Sequence, residues 1–279
     1  MGAVSDSFCG AKVSEARVTV PALRRMKREG VKIAMITAYD YPFARIFDAA
    51  GADVVLVGDS LGTCVQGHDT TLPVTLDEMI YHARMVARAC RRAHVVGDLS
   101  FGSYQTSVDD AVRSAVRMIK DGGAHAVKLE CGQNVADRIA AITAIDIPVM
   151  GHIGLTPQSV HRMGGYRVQG RGAKSHDRLL ADAKAVQEAG AYALVLEGMP
   201  KDLAHEISVS LEIPTIGIGA GVGCDGQVLV MHDLLGLAEE PPPRFARQYV
   251  SLLDIAQRAV GMYVDDVRNQ KFPSDHESY

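Results

Sequence analysis

Paired cysteines, long apolar stretches, basic runs and low-complexity segments are all missing from this chain, and each absence closes off a class of protein. The five cysteines, Cys9, Cys64, Cys90, Cys131 and Cys224, are odd in number and nowhere spaced as CxxC. That argues against a disulfide framework or a thiolate zinc site and fits reduced thiols in a cytoplasm. No apolar run approaches the ~20 residues of a membrane span. The formal net charge is -4, with no interleaving of basic and aromatic residues, so the footprint of a nucleic-acid binder is missing. The opening segment MGAVSDSFCGAKVSEARV lacks a charged start followed by an apolar stretch, and Asp6 stands where a myristoylation signal wants Ser or Thr. The expectation is a cytoplasmic protein with no nucleic-acid or membrane partner. The GIGAGVG stretch from Gly217 to Gly223 does not have the dinucleotide spacing and opens no clear helix; a tight turn with close backbone approach is its plainer meaning.

What the chain does have is a rhythm. Eight apolar runs, IAMITAY, VVLVGD, HVVGDLS, AVKLE, PVMGHIG, YALVLE, PTIGIGA and QVLVM, are continuous rather than alternating, as strands buried on both faces are. Between them, apolar spacing at i, i+3 and i+4 predicts helices over 42–50, 76–90, 108–120, 135–145, 176–189 and 201–211. Asp40 ahead of Tyr41-Pro42 is placed as an N-cap, and Gly51, Gly122 and Gly190 follow helix ends. Eight strand-then-helix units within 279 residues favour a closed (β/α)8 TIM barrel over an open doubly wound sheet. The eighth connection is irregular: QVLVM runs into HDLLGLAEEPPP, and a long helical pattern follows from Arg244 to Val267. The expected organisation is a tail over 1–17, one barrel domain over 18–270 with an N-terminal helix and the C-terminal helical segment, and a tail over 271–279.

Polar side chains recur where the apolar runs end: Asp59 and Ser60, Asp98, Lys128 and Glu130, His152, and Glu197. In a barrel these exits converge on one face. Asp59, Asp98 and Glu130 would then be three carboxylates around one point, and a divalent cation would relieve their repulsion. Oxygen-only donors suit Mg²⁺ or Mn²⁺ rather than zinc. Taken singly, each aspartate could equally be a helix cap. Lys128 and Glu130, two apart on one strand, face the same side, with Leu129 and Cys131 facing the other. Lys128 can form a Schiff base, hold a substrate carboxylate, or simply neutralise Glu130. Glu197, after an apolar run, is a candidate general base, or else an exposed loop carboxylate or a partner for Arg171. His152 can bond substrate or support a ligand carboxylate, or be a satisfied core histidine. The segment from 155 to 174, TPQSVHRMGGYRVQGRGA at its centre, is long for a barrel connection and is a candidate lid, or a plain surface loop.

In this order, Asp59-Ser60, Asp98, Lys128-x-Glu130, His152 and Glu197 resemble the ketopantoate hydroxymethyltransferase family. The matching segments are TAYDYPFARIFDAAG, VGDSLG, LPVTLDEM, GDLSFGSY, VKLECG, GHIGLTPQS, LEGMP, IGIGAG and HDLLG, spread from about 18 to 266. The resemblance implies a barrel of the phosphoenolpyruvate-binding superfamily, assembled as a homo-oligomer, commonly a decamer. It implies transfer of a hydroxymethyl group from 5,10-methylenetetrahydrofolate to 3-methyl-2-oxobutanoate through a Mg²⁺-stabilised enolate, giving ketopantoate for pantothenate and coenzyme A. Carried over by position, Asp59, Asp98 and Glu130 bind Mg²⁺, Asp59, Ser60, Asp98, Lys128 and His152 contact the keto acid, and Glu197 accepts the proton. A carbon–carbon or phosphorus–carbon lyase of that superfamily is the rival, but no KKCGH-like string is present. A non-catalytic keto-acid or folate binder and a lysine aldolase complete the alternatives.

Overall fold

A computed structural model describes residues 16–279 with the exception of 131 and 239. Most of the expected amino-terminal tail, and the outward orientation expected of Cys131, therefore lie outside the described residues. Eight parallel strands close into a barrel in sequence order: β1 (Ile33–Thr37), β2 (Val54–Val57), β3 (His94–Asp98), β4 (Ala126–Glu130), β5 (Val149–Gly154), β6 (Ala193–Glu197), β7 (Thr215–Ile218) and β8 (Gly226–Leu229). In chain order the helices are α1 (Val20–Arg28), α2 (Tyr41–Ala49), α3 (Leu61–Cys64), α4 (Leu76–Ala89), α5 (Val108–Lys120), α6 (Ala136–Thr143), α7 (Val160–Met163), α8 (Ala173–Glu188), α9 (Lys201–Ser210), α10 (Met231–Leu235) and α11 (Leu252–Arg268).

The helices begin where short polar side chains replace missing backbone partners. Asp40 Oδ1 accepts from Phe43 N at 2.8 Å to start α2, and Ser107 Oγ accepts from Asp110 N at 3.0 Å to start α5. Thr75 and Glu78 form a reciprocal capping box at the start of α4, a device that contributes about 1 kcal/mol. Gly51 and Gly190 end their helices in left-handed backbone, at φ of 91° and 98°. After α5, Gly122 follows the C-cap Asp121 as expected, but the left-handed residue is the next one, Gly123, at φ 72°.

Alternation along the strands divides the core in two. Outward side chains such as Val55, Val57, Val95, Val127, Leu129 and Leu194 pack against the helices. Inward ones, Met35, Val54, Leu56, Val96, Ala126, Met150, Val195, Ile216 and Val228, fill the barrel together with Leu23 of α1. The α1 helix closes the end from which the strands start: Lys27 Nζ reaches Asp225 Oδ2 at 2.9 Å and the carbonyls of Ser208 and Ile213 at 2.8 and 2.9 Å. The apolar filling thus occupies that end of the barrel. The opposite end, where the strands finish, is left for polar side chains.

Two expectations for the C-terminal region change. QVLVM does lead directly into a helix, the five-residue α10, and the closing helix begins at Leu252 rather than Arg244. Residues 244–251 instead lie back on the barrel, with Tyr249 N bonded to Leu234 O at 2.9 Å and Leu253 N to Gly236 O at 3.0 Å. No residue of α11 is buried.

Candidate active site

Inward positions on four consecutive strands change from apolar to charged as the chain climbs: Val96 then Asp98, Ala126 then Lys128 and Glu130, Met150 then His152, Val195 then Glu197. Sheet register brings them side by side, pairing Asp98 with Lys128, Glu130 with His152, and Gly154 with Glu197. All five polar residues, with Asp59 and Ser60, line one cavity of about 610 Å³. Every residue singled out from the sequence therefore reaches the same place. The opposite half of the rim, Thr37, Leu56, Ile218, Val228 and Val230, is mainly apolar, with Asp233 of α10 as its carboxylate.

A continuous chain of contacts runs along the charged half. Lys128 Nζ lies 2.9 Å from Asp98 Oδ1 and 3.3 Å from His152 Nδ1, and His152 Nε2 lies 3.1 Å from Glu197 Oε2. An ammonium only donates, so His152 Nδ1 accepts from Lys128 and the ring proton sits on Nε2, the nitrogen beside Glu197. Burial, followed by the Lys128 charge, lowers the His152 pKa and keeps the ring neutral. Lysine thus pairs with Asp98 across strands, not with Glu130 on its own strand. Glu197 pairs with His152, not with Arg171. The backbone of Glu197 lies close against β5: Leu155 N–H donates to its carbonyl at 2.8 Å, and Gly154, at φ 100°, leaves no room for a β-carbon beside that oxygen.

Charge is unbalanced in this cavity. Burial pushes Asp98 up to about 7, with Lys128 pulling it down and Asp59 pushing it further up. Glu130 is raised well above the carboxylate range by burial and then by Asp59, against the pull of Lys128. Burial alone would weaken the Lys128 ammonium, but Asp98, Asp59 and Glu130 outweigh it and hold its pKa above the usual lysine range. Among the described residues at the floor, Lys128 is the single cation facing Asp59, Asp98, Glu130 and Glu197. An excess of hard oxygen donors is the setting that a magnesium-like ion neutralises. Among the described residues, however, no three His, Cys, Asp or Glu side chains form a ready-made cage. Asp59 and Asp98 adjoin, through Asp59 N–H and Asp98 Oδ2 at 3.1 Å, while Glu130 accepts from Gln158 N–H at 2.9 Å. Two carboxylates with further ligands from substrate and water are a normal Mg²⁺ complement, so the residues fit such an ion.

Three residues of the site carried no expectation of their own. Gln158, 8% exposed, bonds Asp59 Oδ2 through Nε2 at 2.9 Å. Tyr104 donates to Gln158 Oε1 at 2.7 Å. Tyr39 places its hydroxyl 2.8 Å from Ser60 Oγ, and its own carbonyl accepts from His82 Nδ1 of α4 at 2.6 Å. Ser60 makes no capping bond to α3, which leaves its hydroxyl to the cavity. The residues lie within segments quoted above, GDLSFGSY, GHIGLTPQS and TAYD, yet a neutral side chain at a strand exit gives no sign of what it will meet. The 155–174 loop forms the outer wall through Tyr166, Arg167 and Val168, opposite Pro243, Arg244 and Phe245.

Comparison with known proteins accords with this geometry. Solved structures with the same fold include a putative phosphonomutase from Burkholderia cenocepacia, at 18% identity and a TM-score of 0.63 over 88% of this chain and 98% of that one. A 2,3-dimethylmalate lyase of the PEP mutase/isocitrate lyase superfamily aligns at 17% identity and a TM-score of 0.56, covering 93% and 91%. In sequence, the 3-methyl-2-oxobutanoate hydroxymethyltransferase of Pelobacter propionicus is 57% identical over 94% of this chain and 97% of its own. That of Syntrophotalea carbinolica is 56% identical over 95% and 99%. The family model for ketopantoate hydroxymethyltransferase matches residues 17–275, and the chain therefore belongs to the ketopantoate hydroxymethyltransferase family.

Proposed function

We propose that this enzyme forms ketopantoate by transferring a hydroxymethyl group from 5,10-methylenetetrahydrofolate to 3-methyl-2-oxobutanoate, with Glu197 as the base. The observation that carries the reading is the Asp98–Lys128–His152–Glu197 chain at the floor of a carboxylate-rich cavity. Asp59 and Asp98, with Glu130, would hold Mg²⁺. When bound, that ion supplies Lewis-acid stabilisation of charge on the keto oxygen.

The protein's own groups account for the remaining steps. Lys128 and the Ser60 hydroxyl hold the carboxylate end of the keto acid, beside Asp59, Asp98 and His152. His152, as an Nε2–H donor, aims the Glu197 carboxylate, which removes the C3 proton. The C–H electron pair moves into the C2–C3 bond as the carbonyl pair moves onto oxygen, where the Lys128 ammonium opposes the growing negative charge. Water adds to the donor methylene carbon as its two carbon–nitrogen bonds break toward nitrogen, the two nitrogens taking up the protons of the water and the carbon leaving at the formaldehyde level; C3 then attacks that carbon, and the new alkoxide takes the proton held by Glu197 to become the hydroxyl. A cavity of about 610 Å³ is far larger than a five-carbon acid requires. The outer wall of Tyr166, Arg167, Arg244 and Phe245 supplies aromatic faces and positive charge for a flat carrier with an anionic tail. On α11, Ile255, Val260, Met262, Tyr263 and Val267 are all exposed, which supports a further copy of the chain as a partner and hence a homo-oligomer.

The reading is tested with chelator and borohydride together. Ketopantoate formation is expected to stop with chelator and return with Mg²⁺, while borohydride with keto acid leaves Lys128 unmodified in the mass spectrum. A reduced adduct on Lys128 would replace this mechanism by a Schiff-base aldolase.

A further inference from the structure

Gln158 sits on the turn that follows β5, and its backbone N–H and both polar atoms of its side chain are engaged. Its backbone N–H donates to Glu130 Oε2 at 2.9 Å. Its side-chain Nε2 donates to Asp59 Oδ2 at 2.9 Å and to the Leu99 carbonyl at 3.0 Å. Its Oε1 accepts from the Tyr104 hydroxyl at 2.7 Å and from Gln105 Nε2 at 2.9 Å. The orientation of the amide follows from these partners. Turned over, Oε1 would face two acceptors, Asp59 Oδ2 and Leu99 O, while Nε2 would face the donor on Gln105. Tyr104 is itself fixed by Glu130 N–H, which donates to its hydroxyl at 3.2 Å. Glu130, Tyr104 and Gln158 thus form a closed, buried ring with Asp59 attached.

We infer that Gln158 is a positioning residue that holds Asp59 and Glu130 at a fixed separation for the divalent cation. The inference rests on the reading above that these carboxylates serve a cation, and it deepens that reading. A neutral amide suits the task better than lysine or arginine. The amide restrains Asp59 Oδ2 without supplying positive charge, while the backbone N–H of the same residue restrains Glu130 Oε2, so the negative charge that attracts the ion persists. Lys128 does the opposite at Asp98 and leaves that side of the cavity for substrate. Supporting groups behind metal ligands typically affect metal affinity by ~10–100-fold.

The test measures Mn²⁺ alone, by electron paramagnetic resonance on substrate-free protein, with Mg²⁺ by calorimetry alongside. Gln158→Leu keeps the volume and the backbone N–H to Glu130 but removes the amide; its Mn²⁺ dissociation constant should rise ~10-fold or more. Tyr104→Phe keeps Gln158 but frees its amide to rotate, and should shift the constant in the same direction by less. It also carries the test if Gln158→Leu does not fold. A merely space-filling Gln158 predicts unchanged Mn²⁺ affinity in folded Gln158→Leu and in Tyr104→Phe, and that result overturns the inference. Asp98→Ala is the reference. If it loses Mn²⁺ while Gln158→Leu does not, positioning alone fails; if both bind as wild type does, the cation reading falls with it.

Discussion

Glu197→Gln is the sharpest perturbation of this site because it changes the chemistry while sparing the contacts. Glu197 Oε2 lies 3.1 Å from His152 Nε2, and a glutamine Oε1 can occupy the same position, so His152, Lys128 and Asp98 should keep their arrangement. The side chain is 16% exposed, and the change removes a charge from a cavity with too many of its sign, so folding should not suffer. What disappears is the basicity of the carboxylate proposed to take the C3 proton. Losing a positioned base costs roughly 10²–10⁴ in rate, or about 3–5 kcal/mol of barrier at 1.36 kcal/mol per tenfold. The assay follows loss of the C3 proton signal of 3-methyl-2-oxobutanoate in D₂O by NMR, with Mg²⁺ and without folate, so that only the first step is observed. Keto-acid affinity, measured by calorimetry because the chain contains no tryptophan, should stay near wild type. Exchange within about threefold of the wild-type rate in a variant that binds keto acid normally would refute Glu197 as the base.

Gly154→Ala should lower both stability and kcat, because the left-handed backbone and the collision with the Glu197 carbonyl act together; strain of this kind costs on the order of 1–3 kcal/mol, read from urea midpoints, and a kcat unchanged beside a lowered midpoint would separate β5 from the base. His94 gives a pH dependence. Its pKa is lowered to about 3, by burial first and then by the nearby His125, so the unfolded chain binds the extra proton between that value and the ordinary histidine range. Stability from this group is present above about pH 6.5 and is lost as pH falls toward 3. His94→Gln should flatten the difference in melting temperature across that interval, and an identical pH profile for the two proteins would count against a neutral buried imidazole.

The barrel was legible because strands buried on both faces must be continuously apolar, and runs such as VVLVGD and YALVLE leave no other satisfactory arrangement. The site residues were legible for a related reason: a charged side chain at the exit of a buried strand has few places to go. Partnerships were not. Residues two apart on a strand share a face but are separated by nearly 7 Å of backbone, whereas registered neighbours on adjacent strands are ~5 Å apart; Lys128 therefore finds Asp98 before Glu130. The start of the last helix was misplaced because residues 244–251 carry helical spacing, yet Tyr249 N–H is claimed by Leu234 and, within the first turn of the helix, Leu253 N–H by Gly236, a tertiary choice that local pattern cannot express. Gln158 was missed since its importance lies in being uncharged.

The division of the rim into unlike halves has its own consequence. A small acid descending into this opening meets fixed dipoles and charges over the ends of β2 to β6, and the hydrocarbon of Ile218, Val228 and Val230 over β7 and β8. Such a gradient acts as a compass: polar head and branched tail are sorted before any bond changes, and the reactive carbon is presented to the same carboxylate at each visit. Selectivity then belongs to the scaffold's asymmetry rather than to one discriminating contact, and an intruder of the right charge but the wrong tail would have to be turned away by the greasy side.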